Sequence, residues 1–468
     1  MTELSREAVV DAVRYFDTWV AFRQRYARIP GVQAAVLHGD ELLLSAAYGV
    51  ADLEAGTPLT PRHLFRVASH SKTFTATAVM QLVEHGSLRL DDPAGQWLPF
   101  LAETPLGAAS LHDLLSHSAG VTRDGHDGDH WQLYRAFPDE PGLEAIGLDR
   151  ADVLPTNEHF KYSNVGYSLL GMVIAKASGQ SYHAYVREHI VDRLGLTDTG
   201  PEYEPARAAE YAAGYSALSY ADRRIPIEHI DTGAMASATG FYSTANDLVH
   251  YAAGHFHGDE RLLTDASKRR MQRTQWTIGD DAEYGLGFDI AEVGDRRVLG
   301  HGGGYPGHIT NTKFDPVDRL AVSVLTNAID GEAGLHTTNF LRLVELAAKP
   351  KESSEPSDLD LDRFCGRFAH LWAVRDVVRL GGRLYQVDPT VDDPTHQPIA
   401  LEVVDDHTLR MSVESSFASP GEELRYTFGD GGVVSVRGGS GATAYPYDRF
   451  VEVAASRDRV TLGHPLTP

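Results

Sequence analysis

This chain of 468 residues has a single cysteine, Cys365, which excludes a disulfide within the chain and argues against a cysteine-ligated zinc site. Apolar runs of membrane-spanning length are missing as well. The segment from Met1 to Arg28 predicts a charged amphipathic helix rather than a signal peptide, because it lacks the apolar stretch that such a peptide needs. From these absences we expect a cytoplasmic protein without a membrane partner.

Basic residues are also in the minority: 42 lysines and arginines stand against 65 aspartates and glutamates, which gives a formal net charge of −23. Such a surface repels phosphate backbones, so we expect no nucleic-acid partner. We interpret the acidity as a means of solubility rather than as the mark of a cationic substrate. The length of the chain predicts two or three domains.

The order of helix and strand patterns divides the chain into three segments. Residues 1–348 have strand patterns near both ends and a mostly helical stretch between, which predicts an α+β domain: an antiparallel sheet flanked by helices, plus an all-helical lobe. Residues 349–360 are polar and contain proline, which predicts a linker. Residues 361–468 carry short strand-like runs, the last at Phe450–Val453, and predict an antiparallel β-barrel or sandwich of about eight strands.

Ser69 and Lys72 stand three positions apart at the predicted start of a helix that ends near Gly86. Residues at this spacing share one helical face, so the lysine amine can lie beside the serine hydroxyl. A serine becomes a nucleophile when a neighbouring base takes its proton, and a buried lysine can do so while its amine is neutral. The helix start also directs backbone N–H groups at the reacting atom.

Tyr162 and Asn164 stand two positions apart, just before a second predicted helix. At this spacing both side chains can face one cleft, where the phenol could move protons to or from the serine. Asn164 could bridge Lys72 and a carbonyl or amide of the substrate. The alternative is structural, since asparagine often caps a helix.

His301 precedes three glycines, Gly302 to Gly304, after a predicted strand. Glycines allow a substrate backbone to approach closely, and a strand N–H can complete an oxyanion hole. The histidine adds a titratable donor beside Tyr162, so activity that depends on it should respond to pH near neutrality. A hairpin turn with a histidine of no catalytic role is the alternative.

These elements stand in the order S-x-x-K, Y-x-N and H-x-G, and over about residues 10 to 347 the chain thereby resembles the penicillin-recognising serine hydrolases. That family includes class C β-lactamases, penicillin-binding proteins that are DD-peptidases, S12 peptidases, D-aminopeptidases and esterases. Two further phrases match the family, Leu114–Gly120 and Thr239–Ala245. The resemblance implies a β-lactamase/transpeptidase-like fold for the first domain.

The resemblance also implies roles for single residues. Ser69 would attack a carbonyl and form an acyl-enzyme, while Lys72 and Tyr162 manage the protons. The N–H groups of Ser69 and Gly304 would hold the oxyanion. Asn164 and His301 would complete the catalytic set. Substrate contacts are expected from two glycines and one aromatic side chain, namely Gly302, Gly303 and Trp131.

His301 stands where β-lactamases of this family carry a lysine, which argues against tight binding of a substrate carboxylate. We therefore expect a peptidase or amidase, with a D-aminopeptidase as one form, or an esterase, acting on a small molecule or short peptide. A β-lactamase or a cell-wall DD-peptidase is the alternative, disfavoured further by the missing export signal. An alternative of another class is a sensor or binding protein that is acylated once without turnover.

A loop near the middle of the chain offers further candidate ligands. Its histidines and aspartates could be read as metal ligands: His126, Asp127, Asp129 and His130. Gly125 and Gly128 favour a solvated loop at the edge of the substrate cleft instead, to which Trp131 would belong. We expect no metal and no cofactor.

The C-terminal barrel resembles, by domain order and strand pattern alone, the lipocalin-like domains attached to D-aminopeptidases and related peptidases. Such domains cover the active-site mouth or build closed oligomers in relatives. The barrel could therefore limit the size of the substrate or support a homo-oligomer. A packing module without chemistry is the alternative.

Overall fold

The computed structural model describes residues 4–149, 151–279, 282–349, 359–414, 419–439, 441–464 and 466–468. Packing divides the chain into two compact units, one formed by Met1–Tyr26 together with Asn339–Pro468 and the other by Ala27–Thr338. Most of the predicted linker at 349–360 lies outside the described residues, so the domain boundaries stay a prediction.

Helices occupy much of the second unit and open the first. In chain order they are α1 Arg6–Tyr26, α2 Ser71–Glu84, α3 Ala94–Trp97, α4 Pro105–Ala108, α5 Leu111–Leu115, α6 Glu140–Leu148, α7 Asn164–Ser178, α8 Tyr182–Val186, α9 Asp192–Leu194, α10 Ala236–Thr239, α11 Ala245–Ala253, α12 Asp265–Met271, α13 Ala333–Ala348 and α14 Tyr447–Ala455. No helix within the described ranges combines the length and the apolar character that crossing a bilayer requires.

Strands stand at both ends of the second unit and throughout the C-terminal region. In chain order they are β1 Gly31–His38, β2 Glu41–Asp52, β3 Thr57–Pro58, β4 Phe65–Arg66, β5 Gly214–Tyr215, β6 Pro226–Ile227, β7 Tyr242–Ser243, β8 Trp276–Gly279, β9 Ala282–Tyr284, β10 Asp289–Val293, β11 Arg296–Tyr305, β12 His308–Asp315, β13 Leu320–Thr326, β14 Gly366–His370, β15 Ala373–Leu380, β16 Arg383–Val387, β17 Ile399–Asp405, β18 Thr408–Met411, β19 Glu423–Gly429, β20 Gly432–Gly438 and β21 Ala442–Pro446.

The unit from Ala27 to Thr338 is built on a nine-stranded antiparallel sheet in the order β3-β2-β1-β13-β12-β11-β10-β9-β8. The two chain segments of the sheet meet where β1 pairs with β13, in a register that places Val32 opposite Thr326. Strand β13 is buried along its whole length, and α11 packs on β1 and β13. This split sheet confirms the predicted α+β class.

Helix α2 is the central helix of the same unit. Its side chains are buried without interruption from Ser71 to Leu82, although several of them are polar. The helix packs against α7 and α10, and all three helices contribute apolar residues to one hydrophobic core. A helix that is buried on every face holds its first turn in a fixed position, which matters because Lys72 lies there.

The barrel of the other unit is closed and has eight antiparallel strands, β14 to β21 in sequence order. Its interior is filled by apolar side chains such as Phe364, Leu384 and Leu409. The barrel is confirmed, but the strand predicted at Phe450–Val453 is wrong. This segment lies in α14, because the apolar residues after Pro446 recur at helical spacing, and the eighth strand is β21.

Cys365 lies half-buried just before β14. Burial raises the pKa of its thiol to about 12, so the thiolate is not formed near neutral pH. The cysteine is therefore an inert packing residue of the barrel.

The barrel core gives a first prediction. Leu409 is fully buried in the barrel interior, so Leu409→Ala should lower the free energy of unfolding of the barrel by about 2–5 kcal/mol through lost transfer energy and the cavity left behind. Urea titration, monitored through the hydrogen exchange of barrel amides, measures the loss of free energy of unfolding. Val434→Ala is the matched control, since Val434 is 39% exposed on the same barrel. Equal losses in the two variants would contradict this account of the core.

Candidate active site

Ser69 lies in a short 3-10 turn, Ala68–His70, which runs directly into α2. Ala68 is held in the left-handed region at φ 44°, a conformation that costs an L-residue about 1–3 kcal/mol. Ser71 Oγ donates to the Ala68 carbonyl over 2.6 Å and so supports this turn. Ser69 itself remains partly exposed, which leaves its hydroxyl open to a substrate.

Lys72 is completely buried beside Ser69. Its Nζ lies 3.2 Å from Ser69 Oγ, 2.7 Å from Asn164 Oδ1 and 2.8 Å from the Ala238 carbonyl oxygen. Burial lowers the pKa of Lys72 to about 7, and the nearby Asp124 carboxylate opposes part of that change. A neutral amine can donate its two hydrogens to Asn164 and Ala238, which leaves its lone pair for the proton of Ser69.

Tyr162 approaches Ser69 from the other side, with its hydroxyl donating to Ser69 Oγ over 2.8 Å. Lys72 Nζ lies 4.8 Å from the centre of the phenol ring, and the Arg123 guanidinium lies 5.6 Å from it. Burial nevertheless raises the pKa of Tyr162 well above its ordinary value. The phenol therefore stays protonated near neutral pH and can relay a proton, while Lys72 is the better first base.

Asn164 is the first residue of α7, and its amide is oriented by Asp124, a residue that the sequence analysis missed. Asn164 Nδ2 donates to Asp124 Oδ1 over 2.7 Å, and Trp131 Nε1 donates to the same oxygen over 2.9 Å. The amide oxygen of Asn164 is thereby directed at Lys72. Asp124 could not be found from the sequence because it stands at no fixed spacing from Asn164 or from Trp131. Trp131, predicted as a substrate contact, is bound to this carboxylate, and its substrate role stays a prediction.

His301 and its glycines continue β11 rather than form a turn. A Cβ atom added to Gly303 would lie 2.1 Å from the Val67 carbonyl oxygen, so only glycine allows the strand to pack this closely against the turn of Ser69. Gly304 lies at the exposed surface of the strand and pairs with Ile309 on β12. The strand thus brings Gly303 against the turn that carries Ser69, while the substrate and oxyanion roles of Gly302, Gly303 and Gly304 stay predictions.

The His301 ring is buried and held by two neighbours. Its Nδ1 lies 2.6 Å from the Gly302 carbonyl oxygen and is the protonated nitrogen in that contact, while its Nε2 lies 3.4 Å from the Tyr284 hydroxyl. Burial lowers the pKa of His301 from its ordinary value. The ring is therefore neutral at neutral pH, and the pH response expected from it lies further to the acid side.

The phrase Leu114–Gly120 holds the segment that carries Tyr162. The His117 carbonyl accepts from the Lys161 N–H over 2.8 Å, and His117 Nδ1 accepts from the Ser163 N–H over 3.1 Å. The His117 ring also lies 4.3 Å from the Tyr162 ring. One histidine thus fixes the backbone on both sides of the tyrosine.

The phrase Thr239–Ala245 supports the nucleophile turn. The Phe241 carbonyl accepts from the Val67 N–H over 2.9 Å, and the Phe241 N–H donates to Ser71 Oγ over 3.0 Å. Ala238, just before this phrase, supplies the carbonyl that accepts from Lys72. The two phrases therefore position the segments that carry Ser69, Lys72 and Tyr162.

The histidine- and aspartate-rich loop makes contacts of another kind. His126 Nε2 lies 3.1 Å from the Asp149 carbonyl oxygen, and Asp127 forms an ion pair with Arg135. His130 is buried against Phe137. Within the described ranges, the side chains grouped closely enough to hold a metal ion are Asp405, Asp406 and His407, which are exposed on the barrel.

The amino-acid sequence matches the family model described as Beta-lactamase over residues 17–346. The chain belongs to the beta-lactamase family. It is 29% identical to Esterase EstB of Burkholderia gladioli over 378 residues, which is 70% of this chain and 93% of that protein. It is 28% identical to Penicillin-binding protein 4* of Bacillus subtilis over 293 residues, or 58% of this chain and 62% of that protein. The chain thus spans less than two thirds of the length of this second relative.

Solved structures agree with this family. The octameric penicillin-binding protein homologue from Pyrococcus abyssi superposes with a TM-score of 0.64 over 92% of this chain and 99% of that chain, at 22% identity, which shows the fold alone. SurE with D-Leu superposes with a TM-score of 0.58 at 25% identity, over 94% of this chain and 99% of that chain. The family resemblance drawn from the three motifs is confirmed.

The charges around Lys72 predict how activity depends on pH. If Lys72 is the base, kcat/KM should rise with pH through a midpoint near its pKa of about 7. Asp124 raises this pKa and Arg123 lowers it. Asp124→Asn should therefore move the midpoint to lower pH, and Arg123→Gln should move it to higher pH. Asp129→Asn, an exposed carboxylate in the same loop, is the control and should leave the midpoint in place. Shifts of the same sign in both test variants would contradict Lys72 as the titrating group.

Proposed function

We propose that this chain is a serine hydrolase that cleaves an ester or amide bond through an acyl-enzyme on Ser69. The observation that supports it most is that Ser69 Oγ contacts two groups able to move protons, Lys72 Nζ at 3.2 Å and the Tyr162 hydroxyl at 2.8 Å. The family of the chain, which includes esterases and carboxypeptidases, supports the same reaction.

The first half of the reaction follows from the charge states of these groups. Neutral Lys72 takes the proton of Ser69 as Oγ attacks the carbonyl carbon. The N–H groups of Ser69 and Gly304 hold the oxyanion of the tetrahedral intermediate, which collapses to the acyl-enzyme. Tyr162, which stays a phenol because of its raised pKa, passes the proton from Lys72 to the leaving group.

The second half reverses the proton flow. A water molecule enters after the leaving group departs, and Lys72 with Tyr162 takes a proton from it as it attacks the acyl carbon. Asn164 keeps its amide oxygen on Lys72 throughout, because Asp124 holds the amide nitrogen. Ser69 then regains its proton and the acid product leaves.

For the substrate we propose a small molecule or short peptide, cleaved by a peptidase or amidase of the S12 and D-aminopeptidase kind or by an esterase. EstB is named an esterase, and SurE was solved with D-Leu. A β-lactamase or DD-peptidase is the weaker alternative, since neutral His301 offers no fixed positive charge to a substrate carboxylate.

The quaternary state and the barrel belong to the same proposal. The homologue from Pyrococcus abyssi is octameric, which supports a homo-oligomer here. The lipocalin-like character of the barrel, its effect on substrate size and the cytoplasmic location remain predictions.

Removal of the nucleophile tests the reaction. Ser69→Ala should lower turnover of p-nitrophenyl esters by more than about 10³-fold and abolish covalent labelling by a fluorophosphonate, because both need Oγ. Ser87→Ala, at an exposed serine after α2, is the matched control and should behave as the unmodified chain. Labelling that survives in Ser69→Ala at another serine would overturn the assignment.

A substrate panel separates the candidate activities. Initial rates with a p-nitrophenyl ester, with D- and L-aminoacyl anilides and with a chromogenic cephalosporin should favour the ester or the D-anilide, since His301 is neutral. Faster turnover of the cephalosporin would favour the β-lactamase reading. A burst that stops at one equivalent for every substrate would support the sensor alternative.

A further inference from the structure

The part of β11 that runs beside Ser69, from Val298 to Tyr305, contains neither a lysine nor an arginine. His301 occupies the position where β-lactamases of this family have a lysine, and its ring is neutral because burial lowers its pKa. A carboxylate lies close to this ring: Asp289 Oδ2 is 3.9 Å from His301 Nδ1. Asp289 therefore places a negative charge beside His301.

Asp289 is placed by the sheet. It is the first residue of β10 and lies opposite Gly300 on β11, one residue before His301. Its side chain is 50% exposed, so the carboxylate is open to a ligand. Within the described ranges, neither an arginine nor a lysine lies within salt-bridge distance of it.

The charge of Asp289 reaches the reacting atoms. Burial is the largest cause of the shifted pKa of Lys72, Tyr162 and His301, and the Asp289 carboxylate is near enough to raise the pKa of all three. A cation bound beside Asp289 would lie on the same side of the site as Tyr162, whose ring is 6.3 Å from that of His301.

The other charges of the site do not cancel this one. The Arg123 guanidinium lies 3.3 Å from Asp124 Oδ2, so its positive charge is paired with a carboxylate. Lys72 is completely buried, and its amine contacts Ser69, Asn164 and Ala238. Its pKa of about 7 leaves this amine largely uncharged above neutral pH. Asp289 is thus an exposed charge beside His301 that a substrate group can meet.

We propose that Asp289 is a specificity residue that binds an ammonium group of the substrate close to the scissile bond. The substrate class is then a cationic ester or amide, and a substrate with a carboxylate at this place is repelled. This inference rests on the proposed hydrolase function. It depends on a local carboxylate and differs from the general acidity of the chain, which would act on any cation at long range.

Matched esters test the inference. The p-nitrophenyl esters of 4-(trimethylammonio)butanoic acid and of 5,5-dimethylhexanoic acid have the same shape and differ in charge. A second pair, acetylthiocholine and 3,3-dimethylbutyl thioacetate, places the charge on the leaving group. The readout is the ratio of kcat/KM for the cationic to the neutral member of each pair, taken above pH 8 so that the charge state of Lys72 does not contribute.

The unmodified chain should prefer the cationic member of at least one pair, and Asp289→Asn should lower that ratio about fivefold, the upper range for a half-exposed ion pair. Asp289→Glu should retain most of the preference, and added salt should reduce it. Asp295→Asn removes an equal charge at the exposed turn between β10 and β11 and should leave the ratio unchanged.

Three results would overturn the inference. The unmodified chain could show no preference for the cation in either pair, Asp289→Asn could keep the full ratio, or Asp295→Asn could lower it equally. In each of these cases, Ser69-dependent hydrolysis of the neutral esters would still support the proposed function. If none of the four esters is hydrolysed and Ser69 takes no fluorophosphonate, the proposed function itself fails, and the inference fails with it.

Discussion

The rest of the active site depends on the burial of one amine. Lys72 has no exposed surface, and removal of its ammonium from water lowers its pKa to about 7. A lysine on the surface would be a cation at neutral pH and could not take a proton from Ser69. The fold provides this burial by placing Lys72 in the first turn of a helix that is itself enclosed by α7 and α10.

The contacts of Lys72 come from segments far apart in the chain. Asn164 is 92 positions away and Ala238 is 166 positions away, yet each supplies an oxygen within hydrogen-bond distance of Nζ. Their two acceptors fix the direction of the amine, and Asp124 fixes Asn164 in turn. The glycine at 303 lets β11 close against the same turn. The site is thus a property of the assembled α+β unit and not of the S-x-x-K segment alone.

Much of this arrangement could be predicted from the sequence, because spacing is local information. Ser69 and Lys72 stand at a spacing that shares one helical face, Tyr162 and Asn164 stand at a spacing that can face one cleft before a helix, and the strand patterns indicated the sheet and the barrel. Asp124, Asp289 and the left-handed Ala68 could not be predicted, since their roles arise from contacts across the fold. The error at Phe450–Val453 came from a short apolar run, in which strand and helix patterns overlap.

The central claim is that Lys72 is neutral in a large share of molecules at neutral pH. The most direct measurement is a titration of the Lys72 side chain by NMR in lysine labelled with ¹³C and ¹⁵N, with Lys72→Arg used to assign the signal. We expect a pKa near 7 for this amine, apart from those of the exposed lysines. A Lys72 pKa in the ordinary lysine range, about 10.4, would contradict it.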